Sequence, residues 1–382
     1  MLSRESASNC EVPLRRALSY QRGSPETPVS DRPVISIDAM GGDHGPSVVA
    51  PAVARAIKEG LAARFLLHGD EAALQAAVAK LPALNGHVEI RHADRVVAAD
   101  EKPAQAMRRG KGTSMWNAVE SLKSGEAAAC VSAGNTGALN GISMLILRMA
   151  AGMERPALVA NWPTLEGRTA VLDVGANIAC DARRLVEFAI LGAAFDHAVN
   201  GSDRPTVGIL NVGSEEGKGH EEVREAHRML REMSSLELDY HGFVEGDDIP
   251  KGTVNVVVTD GFTGNVALKT GEGLARYVRA ELRRAFTAGP LERFGALIAS
   301  RALRRMAERF DPSTINAAPF LGLNGIVVKS HGGADARGFA TAIRVAADLA
   351  ASDFVARIDR NLRTMTAAMP KTAAEAPERT KA

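Results

Sequence analysis

Ala127-Ala128-Ala129-Cys130-Val131-Ser132-Ala133-Gly134-Asn135-Thr136-Gly137-Ala138 passes from a short apolar run, through a polar glycine turn, into a helical period that continues to Ala150. A strand that is apolar on both faces, followed by a tight turn and a helix, is the repeating unit of a sheet covered by helices on both sides. The unit recurs in both directions along the chain. Strand-like runs are Val34–Asp38, Arg64–His68, His87–Arg91, Ala127–Ser132, Ala157–Asn161, Ala170–Asp173, Thr206–Asn211, Val254–Thr259 and Ile326–Lys329. Helical periods fill the gaps at Pro46–Glu59, Glu71–Ala79, Ser114–Ser124, Ala138–Ala150, Asp181–Val199, Glu221–Met233, Asn265–Ala288 and Gly338–Leu362. This alternation predicts an α/β protein, a three-layer α/β/α sandwich around a mostly parallel or mixed sheet.

Six glycine-bearing turns follow predicted strands: Asp38–Pro46, Ser132–Gly137, Asp173–Asn177, Asn211–Gly219, Thr259–Asn265 and Ser330–Asp335. Any one of them is explained by turn geometry alone. In an open α/β sheet, however, ligands sit beyond the carboxyl ends of the strands. Six such turns on one sheet edge would converge on a single crevice lined by backbone N–H groups. Ser132, Gly134, Asn135 and Thr136 open a helix and resemble an anion seat, where free amides and the positive helix end meet. Lys218, between Gly217 and Gly219, can approach a ligand as a point charge. Neither GxGxxG after the first strand nor GxxxxGK[ST] is present, so the crevice suits phosphate without a dinucleotide or P-loop grip.

The turns also limit the chemistry. HExxH and GxSxG are absent. His44 and His331 stand in glycine turns, where a histidine can donate to an oxyanion or simply serve the turn. Asp43 and Asp260 can orient a cation or brace a turn. This set suits holding an anionic nucleophile and stabilising an oxyanion; it offers no activated Ser or Cys for a covalent intermediate. Cys130, after three alanines, reads as a small core residue.

Composition excludes other classes. Among 382 residues, 46 basic side chains balance 45 acidic ones and aromatics make up 4%, which argues against nucleic-acid binding. Three cysteines are too few for a disulfide framework and point to a reducing, cytoplasmic setting. No run is long and apolar enough for a membrane span, and Arg15-Arg16 precede no apolar region. Residues 1–32, with several prolines and serines, read as a disordered leader; 364–382 read as a solvated tail. Residues 33–363 read as one domain. Within it, 271–312 holds nine arginines against four glutamates and Asp311. Two amphipathic periods meet there at Gly289-Pro290, which predicts a projecting helical hairpin. Its apolar faces would serve a dimer interface, or its tip around Phe286–Ile298 would enter a lipid headgroup region.

Taken together, Asp38-Ala39-Met40-Gly41-Gly42-Asp43, Cys130–Ala138, Arg155-Pro156-Ala157, Asp173–Asn177, Thr259–Val266 and Leu321–Gly325 with Lys329-Ser330-His331-Gly332 closely resemble the bacterial fatty acyl-phosphate synthase family (PlsX type), in its order and spacing over 33–350. The resemblance implies a phosphate acyltransferase that moves an acyl group from acyl carrier protein to inorganic phosphate. The acyl phosphate would feed a membrane glycerol-3-phosphate acyltransferase in phospholipid synthesis. It also implies a homodimer, no metal and no cofactor, and a fold similar to phosphate acetyltransferases and isopropylmalate-type dehydrogenases. A short-chain phosphate acetyltransferase acting on acyl-CoA is the alternative. Lys218, Asp260, Asn265 and His331 are then the candidate catalytic residues. Ser132, Gly134, Asn135, Thr136 and Asn177 are candidates for substrate contact. Within a basic stretch similar to the family's, Arg108, Lys111 and Ser114 are candidates for phosphate or phosphopantetheine contact.

Overall fold

The structure, a computed structural model, describes residues 32–150, 152–309 and 316–368. The expected leader, up to residue 31, and the tail from 369 lie outside the described residues, as do residues 310–312 of the expected hairpin. Eleven strands form one mixed sheet. In chain order they are β1 (Val34–Asp38), β2 (Arg64–Gly69), β3 (Val88–His92), β4 (Ala129–Ser132), β5 (Ala157–Pro163), β6 (Arg168–Leu172), β7 (Thr206–Leu210), β8 (Asp239–Val244), β9 (Val256–Val258), β10 (Ala318–Leu321) and β11 (Ile326–Lys329). Across the sheet the order is β3-β2-β1-β4-β11-β10-β5-β6-β9-β7-β8. Helices cover both faces, so the three-layer architecture stands.

Two of these strands, β8 and β10, carry no strand signal in the sequence. Asp239–Val244 is polar at alternate positions and half exposed, and Ala318–Leu321 contains Pro319. β10 also sets the strand directions. β1, β2, β3, β4 and β11 run in parallel. β10 is antiparallel to both β11 and β5, and β5 is antiparallel to β6. β6, β9, β7 and β8 are parallel to one another and therefore oppose the β1 group. The six glycine turns thus do not share one edge. Those after β1, β4 and β11 lie at one end of the sheet; those after β6, β7 and β9 lie at the other. The physical reason is visible at residues 164–167. That gap is too short for the crossover that parallel strands need, so β5 and β6 form a hairpin.

Several helices start on side-chain caps. Asn135 caps α5 (Thr136–Leu147), Asp181 caps α6 (Ala182–Asn200), and Asp335 caps α12 (Ala336–Ala351), each accepting a first-turn amide. The expected helix 338–362 is two helices, since α12 stops before Ser352 and α13 runs Phe354–Ala368. Residues 364–368 therefore belong to α13 and not to the tail. The short helix α3 (Pro103–Arg109), preceding α4 (Ser114–Lys123), is a further addition. On one sheet face Ile35, Ile37, Val131 and Val328 pack in the main core with Phe188 and Phe339; on the other, Cys130 and Val327 pack with Met115, Leu139 and Ile142.

The basic segment departs from the sheet as α9 (Gly261–Thr287), then α10 (Pro290–Ile298) and α11 (Ser300–Arg309). It comprises three helices where the sequence periods suggest two. Chain direction breaks at Gly289-Pro290 as expected. From Asn265 to Ala307 no residue is buried.

One buried histidine makes stability depend on pH. His68 on β2 meets Ser121 at 3.2 Å, and burial, helped by Arg91, holds its pKa down at about 4. Its folded value lies below its unfolded value, so its contribution is full above the unfolded pKa and is lost as pH falls from 6.5 toward 4. The loss amounts to roughly 3 kcal/mol. The raised carboxyls Glu187, Asp196 and Asp348 act in the opposite sense. Urea unfolding of wild type and His68→Leu at several pH values between 4 and 7 should show the steeper acid loss only in wild type. Equal slopes would refute this.

Candidate functional site

At the first edge the turns after β1, β4 and β11 are stitched together. The Asp43 amide donates to the Gly332 carbonyl (2.9 Å) and the Ser330 amide to the Ser132 carbonyl (2.9 Å). Parallel register sets Asp38 beside Ser132 and Ser132 beside Lys329. Ser132 is fully buried; its hydroxyl donates to Asp38 Oδ2 at 2.7 Å and accepts the Gly134 amide at 3.0 Å. Gly41 and Gly134 permit this approach, since a Cβ on Gly41 would lie 2.5 Å from Asp38 Oδ2 and 2.8 Å from the Gly134 nitrogen. Burial pushes the Asp38 carboxyl up, while the hydroxyls of Ser114 and Ser132 pull it back. Ser114, the first residue of α4, is fully buried beside it.

Lys329 and Asn316 are the residues that sequence reasoning left out. Lys329 is nine-tenths buried and donates to the Ala133 (3.3 Å) and Ser330 carbonyls. Burial lowers its pKa to about 8, against the raising influence of Asp38 and Asp43. A lysine closing an otherwise apolar strand, just before a glycine turn, was the available signal. Asn316 accepts the His331 amide at 2.7 Å and donates to Ser330 Oγ at 2.9 Å, so it fixes the turn that carries His331. The Gly333 amide donates to His331 Nδ1 at 3.1 Å. The neutral ring therefore carries its proton on Nε2, on an exposed side chain.

Asn135 has a framework task. Its Oδ1 caps α5, and its amide nitrogen donates to the Ala99 and Glu101 carbonyls at 2.9 Å each. It thereby holds residues 99–101 beside a cleft of about 570 Å³, whose lining includes Arg95, Asp100, Lys102, Gln105 and Arg109. Thr136 is exposed at the helix start, and Arg108 and Lys111 are exposed near this cleft on α3 and the turn after it.

The remaining candidates gather at the opposite edge. Asp173 accepts the amides of Leu158, Gly175, Ala176 and Asn177, and Asn177 Nδ2 bridges Asp173 and the Pro156 carbonyl. Asp260 caps α9 through Thr263, and Asn265 lies against Gly175. Lys218 is half exposed and paired with Glu215 at 2.8 Å, which raises its pKa. Within one chain, then, Lys218, Asp260, Asn265 and Asn177 do not share the crevice of Ser132 and His331, because β6, β7 and β9 run against β4 and β11. Cys130 is buried, with its thiol pushed far up by burial and by Asp38; Cys180 is pushed up to about 12, chiefly by burial. Neither is an activated nucleophile.

This architecture is the fold of the phosphotransacetylases. Phosphotransacetylases from Streptococcus pyogenes (TM-score 0.57, 19% identity) and Staphylococcus aureus (EutD; TM-score 0.54, 16% identity) each match 84% of this chain and 94% of their own. A family model described as "Fatty acid synthesis protein" matches residues 34–357. A phosphate acyltransferase of Caulobacter vibrioides is 68% identical over 334 residues, 87% of this chain and 92% of the relative. One of Phenylobacterium zucineum is 63% identical over 336 residues, 88% and 95% of the two chains. The chain belongs to this phosphate acyltransferase family and is an acyltransferase.

Proposed function

We propose that this enzyme transfers a fatty acyl group from the thioester of acyl carrier protein to inorganic phosphate, giving acyl phosphate for a membrane glycerol-3-phosphate acyltransferase. The identity with named phosphate acyltransferases over 87% of the chain carries the reading. The site's chemistry supports it. Phosphate is already a dianionic nucleophile near pH 7, so the enzyme needs position and charge stabilisation more than a strong base. One phosphate oxygen attacks the thioester carbonyl carbon, and the carbonyl oxygen takes the negative charge. When the intermediate collapses, the C–S bond breaks and its electron pair stays on sulfur. The proton brought by the hydrogen phosphate passes to that sulfur, leaving acyl phosphate and a free thiol. His331 Nε2–H is the proposed oxyanion donor. Arg108 and Lys111 are proposed contacts for the carrier's phosphopantetheine arm. Thiol release from a long-chain acyl carrier protein, with and without phosphate, is the test. Release from acetyl-CoA alone would favour the short-chain alternative, and phosphate-independent release would refute both.

The exposed helices carry a second part of the proposal, cytoplasmic work at a membrane surface. Leu291, Phe294, Leu297 and Ile298 on α10 are all 60–78% exposed, in a segment rich in arginine. Each arginine near an anionic leaflet contributes about 1 kcal/mol, enough for reversible attachment. No helix among the described residues is long and apolar enough to cross a membrane. At low salt the wild type should pellet with vesicles containing anionic lipid, and Phe294→Glu with Leu297→Glu should stay in solution. Equal pelleting of both, or no pelleting of wild type, would assign the face to a homodimer interface instead.

A further inference from the structure

Asp38, Ser132 and Lys329 form a row across three adjacent parallel strands, in register at their carboxyl ends. Side chains in one register leave the same face of a sheet. Cys130 and Val327, two residues earlier on β4 and β11, pack on the α4–α5 side, so Lys329 leaves the sheet on that side. Its ammonium has three donors and uses two of them on the Ala133 and Ser330 carbonyls. Among the described residues no carboxylate lies within ion-pair distance of it, although Asp38 and Asp43 are near enough to act on its charge. A buried ammonium held only by carbonyls is poorly compensated. The surrounding turns are glycine at Gly41, Gly134 and Gly332, so backbone closes in where side chains would fill the space.

We infer that Lys329, at the end of this row, is the group that seats the phosphate dianion. This rests on the phosphate acyltransferase reading only for the identity of the acceptor. Lys329 stays protonated and holds one phosphate oxygen, while another attacks the thioester carbon. The proton delivered to the departing sulfur comes from the phosphate. Asp38, locked to Ser132, holds the neighbouring position of the row. The assignment moves the phosphate cation from Lys218, which is already paired with Glu215 at the other sheet edge.

The test uses inorganic phosphate and the full chain without any acyl donor, so it does not depend on which thioester the enzyme accepts. Titration calorimetry should show phosphate binding to wild type and at least about tenfold weaker binding to Lys329→Met, the change expected from one charge-assisted contact. Thermal unfolding without phosphate identifies a variant that fails to fold. Lys329→Gln, which keeps donors for the Ala133 and Ser330 carbonyls, carries the same expectation. A third measurement needs no variant. Phosphate should protect Lys329 of the wild type from an amine-directed acylating reagent, read by mass spectrometry. Wild-type affinity in a folded Lys329 variant, absence of protection, or loss of binding in Lys218→Ala alone would overturn the inference. Phosphate binding that needs Lys329, in a protein inactive on carrier thioesters, would uphold the seat and remove the carrier-protein reading.

Discussion

Gly264→Ala should lower the unfolding free energy by roughly 3 kcal/mol, while Gly273→Ala in the same helix should raise it by up to about 1 kcal/mol. Propensity alone predicts a gain at both positions, because alanine loses less backbone entropy in a helix than glycine. Local contact decides the difference. A Cβ on Gly264 would fall far inside van der Waals distance of the Asp173 carbonyl oxygen, with the Asp173 carbon 3.0 Å away. These are backbone atoms, and Asp173 is braced by amides of its own turn, so neither side can yield cheaply. Helix α9 would have to lift from the sheet. That would strain the bond from the Gly261 amide to the Asn177 carbonyl, now 2.7 Å. At Gly273 nothing lies within 4 Å. Urea unfolding of both variants against wild type is the measurement. Equal stability of Gly264→Ala and wild type would mean that α9 is not seated by this contact.

Much of this fold can be read in the chain because burial and periodicity agree there. Val34–Asp38 and Ala129–Ser132 are buried on both faces and lie toward the middle of the sheet, and Asn135, Asp181 and Asp335 mark helix starts with the residue types that can cap them. Strand direction was harder to read. It turns on β10, which Pro319 disguises, and on the short loop at 164–167 between two apolar runs. A local pattern identifies a strand but does not orient it; the length of the connection does. The length of that loop alone implies that the six turns divide between two edges. Lys329 and Asp38 escaped for a related reason. In sequence they are charged residues at strand ends, where solvent exposure is the usual outcome. Only the pairing of β1, β4 and β11 puts them in one buried row.

The division of the glycine turns also separates two kinds of polar residue. Asp173 and Asn177 are saturated: every bond they make holds neighbouring turns, and Asp260 is occupied with the start of α9. At the first edge one Lys329 donor remains beyond those given to the Ala133 and Ser330 carbonyls. A site for a small anion needs donors that are positioned but not consumed. That contrast, more than glycine content, distinguishes the proposed phosphate edge from the structural one.

His331→Ala should reduce kcat by about 10²–10³ with little change in the phosphate KM, the loss typical of removing one oxyanion donor. The turn positions the ring on both sides. Asn316 holds the His331 amide, and the Gly333 amide occupies Nδ1, so the proton is left on Nε2. The side chain is exposed and packs in no core, so its removal should leave the unfolding midpoint nearly unchanged. Asn316→Ala supplies the companion measurement. It keeps the imidazole but frees the turn, so kcat should fall by less than in His331→Ala. A donor that acts only as charge develops on the thioester oxygen lowers kcat and kcat/KM together. A raised phosphate KM with kcat intact would place His331 on the phosphate instead. A folded His331→Ala enzyme with wild-type kcat would return the ring to its turn and leave the oxyanion to the backbone amides at this edge.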